Sequence, residues 1–185
     1  NEAALMAARY GRRFVTMDDF ENAKDKVMLG VERRSMVLTP EQKEKTAWHE
    51  AGHAIVGMAL PKCDPVYKAT IIPRGSALGM VVSLPEVDRL NMHKDEAKQR
   101  IAMTMAGKAA EIIKYGDEGV SNGPAGDIMQ ASQLARAMVM RWGMSDKVGS
   151  VDYAEAHEGY QGSTGGFSVS AQTKEMIESE VRGLI

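Results

Sequence analysis

The chain has 185 residues, with 23 Lys and Arg against 25 Asp and Glu, which gives a formal net charge of -2. The length suits one domain with an appended segment, and the balanced charge provides no basic stripe, so we expect no nucleic-acid partner. A single cysteine, Cys63, excludes an internal disulfide and fits a reducing compartment.

Helices dominate the predicted elements, in keeping with a composition rich in Ala and Met and poor in aromatic residues. The predicted helices span residues 1–9, 17–29, 40 to about 60, 94–115 and 127–142, followed by a last one from about 171. Two Val- and Ile-rich runs, Val66–Ile72 and Leu78–Leu84, are typical of strands joined by a turn. We therefore expect a mainly α fold with a small antiparallel β-sheet, an α+β domain.

Local signals set the helix boundaries and faces. Thr16 with Asp19, and Thr39 with Pro40 and Gln42, are typical helix starts. Glycines after residue 143 predict a loop-like region over 144–167.

The apolar residues that we expect to face a core are Trp48, Ala51, Ile55, Val56 and Ala59 in the third helix, Ile101, Met105, Ala109 and Ile112 in the fourth, Ile128, Ala131, Leu134, Ala135, Met138 and Trp142 in the fifth, and Ile177, Val181 and Leu184 in the last.

The most informative motif lies in the third predicted helix, where the sequence is His49-Glu50-Ala51-Gly52-His53. Residues four apart lie on one helical face, so both histidines can turn a ring nitrogen toward one Zn²⁺ ion. Glu50 follows about 100° round the helix, where it can reach a metal-activated water without binding the metal. The motif therefore predicts a hydrolytic zinc site with Glu50 as general base and then as proton donor to the leaving amine.

A catalytic zinc usually takes three protein ligands, so the histidine pair needs a partner. A histidine six residues after His53 would mark one large class of zinc peptidases, but Ala59 stands there. His93 and His157 lie in polar surroundings and are expected to be solvated. Glu111 on the following helix and Asp127 at a helix start both remain candidates, because their spacing does not decide between them.

The histidine motif, together with several others, resembles the peptidase domain of the FtsH family, the membrane-anchored AAA+ zinc proteases. The motifs that carry the resemblance are His-Glu-Ala-Gly-His-Ala at 49–54, Thr-Ile-Ile-Pro-Arg-Gly at 70–75, Ala-Leu-Gly at 77–79, Leu-Pro-Glu at 84–86, Leu-Ala-Arg at 134–136 and Trp-Gly-Met-Ser at 142–145. The resemblance implies that Asp127 is the third zinc ligand and that Glu111 orients a ligand histidine through its free ring N–H. Two departures stand out: Pro124-Ala125-Gly126 precedes Asp127 where the family has Ala-x-Asn, and Ile112 replaces a family glutamate.

The resemblance also implies a larger assembly. Residues 1–30 resemble the C-terminal end of the family's AAA+ ATPase lid, and residues 31–185 its zinc peptidase domain. We therefore expect a fragment of a homo-hexameric protease that degrades unfolded polypeptides at a bacterial inner membrane, with the peptidase domain on the cytoplasmic side. No GxxxxGK[ST] loop or long apolar run occurs in the sequence, so ATP, Mg²⁺ and membrane anchoring would involve other parts of the protein.

Two other functions are compatible with the same pair of histidines. One is a non-catalytic, metal-stabilised oligomerisation module of an AAA+ assembly, against which Glu50 argues because a structural zinc site needs no base. The other is a zinc hydrolase for small amides. An interpretation of the strand at Gly79–Leu84 also stays open, as either an ordinary strand or one that binds an extended substrate by β-addition.

Overall fold

The computed structural model describes residues 1–33, 35–75, 77–85, 90–153 and 169–185. In these residues the elements, in chain order, are α1 (Glu2–Arg9), α2 (Met17–Leu29), α3 (Pro40–Ala59), β1 (Val66–Thr70), β2 (Met80–Ser83), α4 (Lys94–Tyr115), a 3-10 turn (Asp117–Gly119), α5 (Ala125–Met140) and α6 (Ala171–Leu184). The predicted class, mainly helical with a small antiparallel sheet, is confirmed. None of the helices in the described ranges is long and apolar enough to cross a bilayer.

The chain divides into two compact units, and the first comprises residues 1–47 and 69–80. In it α1 packs against α2. The predicted start of α2 is confirmed as a capping box, in which Asp19 accepts hydrogen bonds from the backbone N–H and hydroxyl of Thr16. The α2 helix ends at Gly30, whose φ of 85° is a conformation that side chains disfavour.

A buried arginine ties the turn that follows β1 to the residues after α2. The Arg74 guanidinium lies 2.7 Å from Glu32 and donates a 2.9 Å hydrogen bond to the carbonyl of Gly30. The side chain of Arg74 is only 6% exposed, so its charge depends on these partners. This ion pair and hydrogen bond anchor the hairpin turn within the first unit.

The second unit, residues 48–68 and 81–185, contains the main hydrophobic core. In this unit α5 packs against both α4 and α6. Ile177 and Val181 of α6 are buried and Leu184 packs beside them, as the sequence predicts. The buried members of this core are Ala97, Ile101, Ala131, Ala135, Met138, Val139, Met140, Val148, Ile177 and Val181.

The buried face of α3 is not the predicted apolar face. Trp48 and Ile55 are 38% and 62% exposed, whereas Glu50 and Gly57 are buried. A β-carbon added at Gly52 would lie 2.5 Å from the carbonyl oxygen of Ala106, so α3 approaches α4 more closely than a side chain would allow. The histidine-bearing face is therefore pressed against α4, and the larger apolar residues are turned away.

Other boundaries differ from prediction by a few residues. Both strands are shorter than predicted, and α5 starts at Ala125, which places Asp127 inside the first helical turn. Ala109 is exposed rather than buried, as are Ile128 and Trp142 of the predicted fifth-helix face. Residues 144–153 form no helix or strand, as expected for the loop, and the rest of that prediction, with His157, lies outside the described residues.

Candidate metal centre

The two histidines of α3 converge at their outer ring nitrogens. The Nε2 atoms of His49 and His53 are 3.1 Å apart, and the rings meet nearly edge to face at an interplanar angle of 78°. The helical spacing of four residues produces this convergence, because it stacks the side chains on one face.

The inner ring nitrogens are held by acceptors on α4. The Nδ1 atom of His49 is 2.9 Å from Oε1 of Glu111, and Nδ1 of His53 is 2.8 Å from the carbonyl oxygen of Met103. A carbonyl oxygen can only accept a hydrogen bond, so His53 must carry a proton on Nδ1, and the Glu111 carboxylate favours the same form of His49. In the neutral rings both Nε2 atoms then present lone pairs to the same point.

Asp127 adds a third donor atom at that point. Its Oδ2 atom lies 3.1 Å from Nε2 of His49 and 3.4 Å from Nε2 of His53. Ligands about 2.1 Å from a tetrahedral zinc are separated from each other by about 3.4 Å. The three atoms, all lying within 4.8 Å of one another, therefore match the spacing and the chemical type of a zinc ligand set.

The close approach of these three side chains shifts the pKa value of each of them. Burial lowers the pKa values of His49 and His53, but both pKa values are raised overall, because the hydrogen bond and the charge of Asp127 act together with Glu111 at His49 and with the Met103 carbonyl at His53. Burial raises the pKa of Asp127, yet hydrogen bonds from the two histidines lower it overall. Without a metal, the cluster therefore favours protonated histidines beside an ionised Asp127.

Glu50 is placed beside the cluster but outside it. Its side chain is buried, and burial raises its pKa, helped by the negative charge of Asp127 and opposed by the two histidines. A carboxyl pKa raised toward neutral pH makes a better general base. Glu50 is not among the three residues whose donor atoms converge.

Glu111 lies behind His49 and supports the loop that precedes α5. Its Oε2 atom accepts 2.8 Å and 2.9 Å hydrogen bonds from the backbone N–H and the hydroxyl of Ser121. Burial raises the pKa of Glu111, but these bonds and the one with His49 lower it overall, so the carboxylate stays ionised. Glu111 therefore contacts a histidine through Nδ1 rather than joining the converging atoms.

Three contributors to the site were not identified from the sequence. They are the carbonyl oxygen of Met103, the hydroxyl of Ser121 and the bare backbone of Gly107, which lies against both imidazole rings. A glycine in the middle of a predicted helix is the one signal that was available, because helix interiors disfavour glycine. His93 was expected to be solvated, and it is exposed at the start of α4.

The helical fold and the three converging side chains are typical of a metal-binding domain with an HExxH motif. A model of peptidase family M41 matches residues 36–185, and the chain belongs to that family. The predicted resemblance to the FtsH proteases is confirmed by relatives that match the whole chain.

Three such relatives carry the name ATP-dependent zinc metalloprotease FtsH. The chain is 52% identical to the one from Caulobacter vibrioides (strain NA1000 / CB15N) over 188 residues, 50% to the one from Rickettsia bellii (strain RML369-C) over 186, and 46% to the one from Haemophilus influenzae (strain ATCC 51907 / DSM 11121 / KW20 / Rd) over 188. Each alignment covers 100% of this chain and 29% or 30% of the relative. The chain thus spans less than a third of the length of these relatives.

Proposed function

We propose that this chain is the zinc-dependent endopeptidase domain of an ATP-dependent protease that degrades unfolded or misassembled proteins. The observation that carries the proposal is the convergence of the His49 and His53 Nε2 atoms with Oδ2 of Asp127, next to the buried Glu50. Membership of peptidase family M41 and the names of the relatives support it.

In this proposal His49, His53 and Asp127 hold the zinc ion. Bound zinc supplies a Lewis acid that polarises the scissile carbonyl and acidifies water. Glu50 accepts the proton released on attack and delivers it to the leaving amine, a role that suits its raised pKa. Glu111 and the Met103 carbonyl fix the ring orientations of the two histidines.

Substrate recognition through the backbone is proposed for β2. Within the described part of the chain the sheet contains only β1 and β2, so each strand has one edge without a strand beside it. An extended polypeptide that pairs with such an edge is bound through main-chain hydrogen bonds, with little dependence on sequence. Replacing alternate amide N–H groups of a model peptide by N-methyl groups should then raise KM, and an unchanged KM for every methylated position would remove this part of the proposal.

Assembly, energy supply and location are proposed from the family. Residues 1–30 are assigned to the end of an AAA+ lid and residues 31–185 to the peptidase domain, in a homo-hexamer that uses ATP and Mg²⁺ at a bacterial inner membrane, with the peptidase domain on the cytoplasmic side. Light scattering on this chain tests assembly, since a hexamer made by peptidase contacts has six times the monomer mass. A monomeric mass at every concentration would assign assembly to other parts of the protein.

Degradation of casein tests the central proposal. Casein is unfolded, so its cleavage needs no ATP-driven unfolding and the chain can be assayed as it stands. We expect cleavage that a chelator abolishes and added Zn²⁺ restores. Zinc binding with no cleavage of casein would favour the metal-stabilised oligomerisation module instead, and cleavage of small amides alone would favour a hydrolase of another class.

A further inference from the structure

Gly107, in the middle of α4, lies directly against the two imidazole rings. A β-carbon built at this position would be 2.5 Å from Nε2 of His53 and 2.6 Å from both Cε1 and Nε2 of His49. Those are the two nitrogens that point toward Asp127. Any side chain at residue 107 would therefore occupy space that the converging rings now fill.

The contacts of Gly107 differ from those of the other helical glycines. A β-carbon at Gly52 would meet the backbone and a methyl group of α4, and one at Gly57 would meet the Met103 side chain. A β-carbon at Gly183 in α6 would meet nothing within 4 Å. Of these four glycines, Gly107 is the one whose β-carbon would have imidazole atoms as its nearest neighbours.

Helix geometry explains why the missing β-carbon matters at this position. The Cα–Cβ bond of a helical residue tilts toward the helix N-terminus, so a side chain at residue 107 would cover the preceding turn, which contains Met103. The Met103 carbonyl in that turn holds Nδ1 of His53 at 2.8 Å. The glycine thus leaves open the path by which the imidazole of His53 reaches its backbone acceptor.

We propose that Gly107 is a positioning residue for the metal site, one that acts by leaving room for the rings of His49 and His53. The proposal rests on the zinc site described above. A methyl group at residue 107 displaces both rings together, which lengthens the His53 bond to Met103 and separates the Nε2 atoms from Oδ2 of Asp127. We therefore expect the Gly107→Ala variant to bind zinc weakly while α4 stays helical.

The variant Gly107→Ala tests this directly, with Gly183→Ala as the matched control. Alanine is the better helix former, so a purely local effect would leave both variants at least as helical as the parent chain. We expect Gly107→Ala to bind Zn²⁺ about ten to a hundredfold more weakly in competition with a chromophoric chelator, the range for losing groups that orient a ligand. The visible spectrum of bound Co²⁺ should change in Gly107→Ala and stay unchanged in Gly183→Ala.

A second measurement on the parent chain keeps the proposal testable if Gly107→Ala does not fold. Proton NMR of the protein should show nuclear Overhauser effects between the Hα protons of Gly107 and the ring protons of His49 and His53, because both rings lie against this residue. Absence of these effects in a chain that binds zinc would overturn the proposal, as would an unaltered zinc affinity and Co²⁺ spectrum in Gly107→Ala. A parent chain that binds no zinc would instead overturn the proposed function.

Discussion

The Oε1 atom of Glu111 lies 2.9 Å from Nδ1 of His49, while Asp127 approaches Nε2 of the same ring at 3.1 Å. One imidazole is therefore held between two carboxylates with different tasks. Glu111, at Nδ1, sets the tautomer and the orientation of the ring. Asp127, at Nε2, places its own oxygen beside the lone pair of that nitrogen. Ser121 completes the arrangement by donating to Glu111 from the loop that leads to α5.

The two carboxylates should respond differently to loss of charge. We expect Glu111→Gln to weaken zinc binding by about ten to a hundredfold, because the group only orients His49. Asp127→Asn should weaken it by more than about a hundredfold, since it removes an anionic oxygen from the proposed ligand set. Chelator competition measures both, and Asp117→Asn, an exposed carboxylate in the 3-10 turn, serves as the control for general charge effects. Equal losses in the two variants would contradict this division of tasks.

Glu50→Gln should separate metal binding from catalysis. The amide has nearly the size of the carboxyl but cannot accept the proton, so zinc should remain bound while casein cleavage falls by about a hundredfold or more. Glu44→Gln, at an exposed position on the same helix, should cleave at the parental rate. A Glu50→Gln enzyme with full zinc content and unimpaired cleavage would exclude Glu50 as the general base.

Stability of the first unit should depend on the cap of α2. Thr16→Ala removes the hydroxyl that caps the N–H of Asp19 and should destabilise the helix by about 1 kcal/mol. Hydrogen exchange of the amides in the first turn of α2 measures the effect locally. Thr16→Ser keeps the hydroxyl and should exchange at nearly the parental rate, and equal protection in all three proteins would show that the cap adds no stability.

The sequence predicted the helices well because their boundaries depend on local chemistry. Thr39 and Gln42 form the predicted reciprocal cap of α3, and the helix stops before Pro61. The buried face of α3 was predicted wrongly, because the spacing of apolar residues gives no information about where two helices pack closely together. Here Gly52 and Gly57 let the polar His49 face approach α4, which leaves Ile55 exposed.

The candidate site shows the same division between local and tertiary information. Spacing along one helix is enough to pair His49 with His53, since both lie on a single face. The choice between Glu111 and Asp127 depends on how α4, α5 and the loop between them pack, which is tertiary information. Only the resemblance favoured Asp127 at the sequence level, and the placement of its Oδ2 near both Nε2 atoms agrees with that preference.

The last prediction concerns pH, and its sign follows from the directions of the pKa shifts. In metal-free protein the pKa values of His49 and His53 are raised, so their contribution to stability is complete below about pH 6.5 and is lost as pH rises through the raised values. The pKa of Asp127 is lowered, so its contribution is present above about pH 3.9 and is lost in acid. The histidine–aspartate cluster should therefore stabilise metal-free protein most between about pH 4 and 6.5.

Zinc should reverse this dependence, because it binds only the neutral rings and competes with the protons that the histidines bind. We expect the rise in Tm on adding Zn²⁺ to be smaller near pH 5.5 than near pH 8, because the histidines lose protons as pH rises and the competition with the metal weakens. Thermal melts with chelator or with Zn²⁺ across this range provide the measurement. His93→Gln, which removes an exposed histidine outside the cluster, should keep the parental profile, whereas His53→Gln should lose most of the zinc-induced rise at pH 8. A zinc-induced rise of the same size at both pH values would contradict the proposed competition between the proton and the metal.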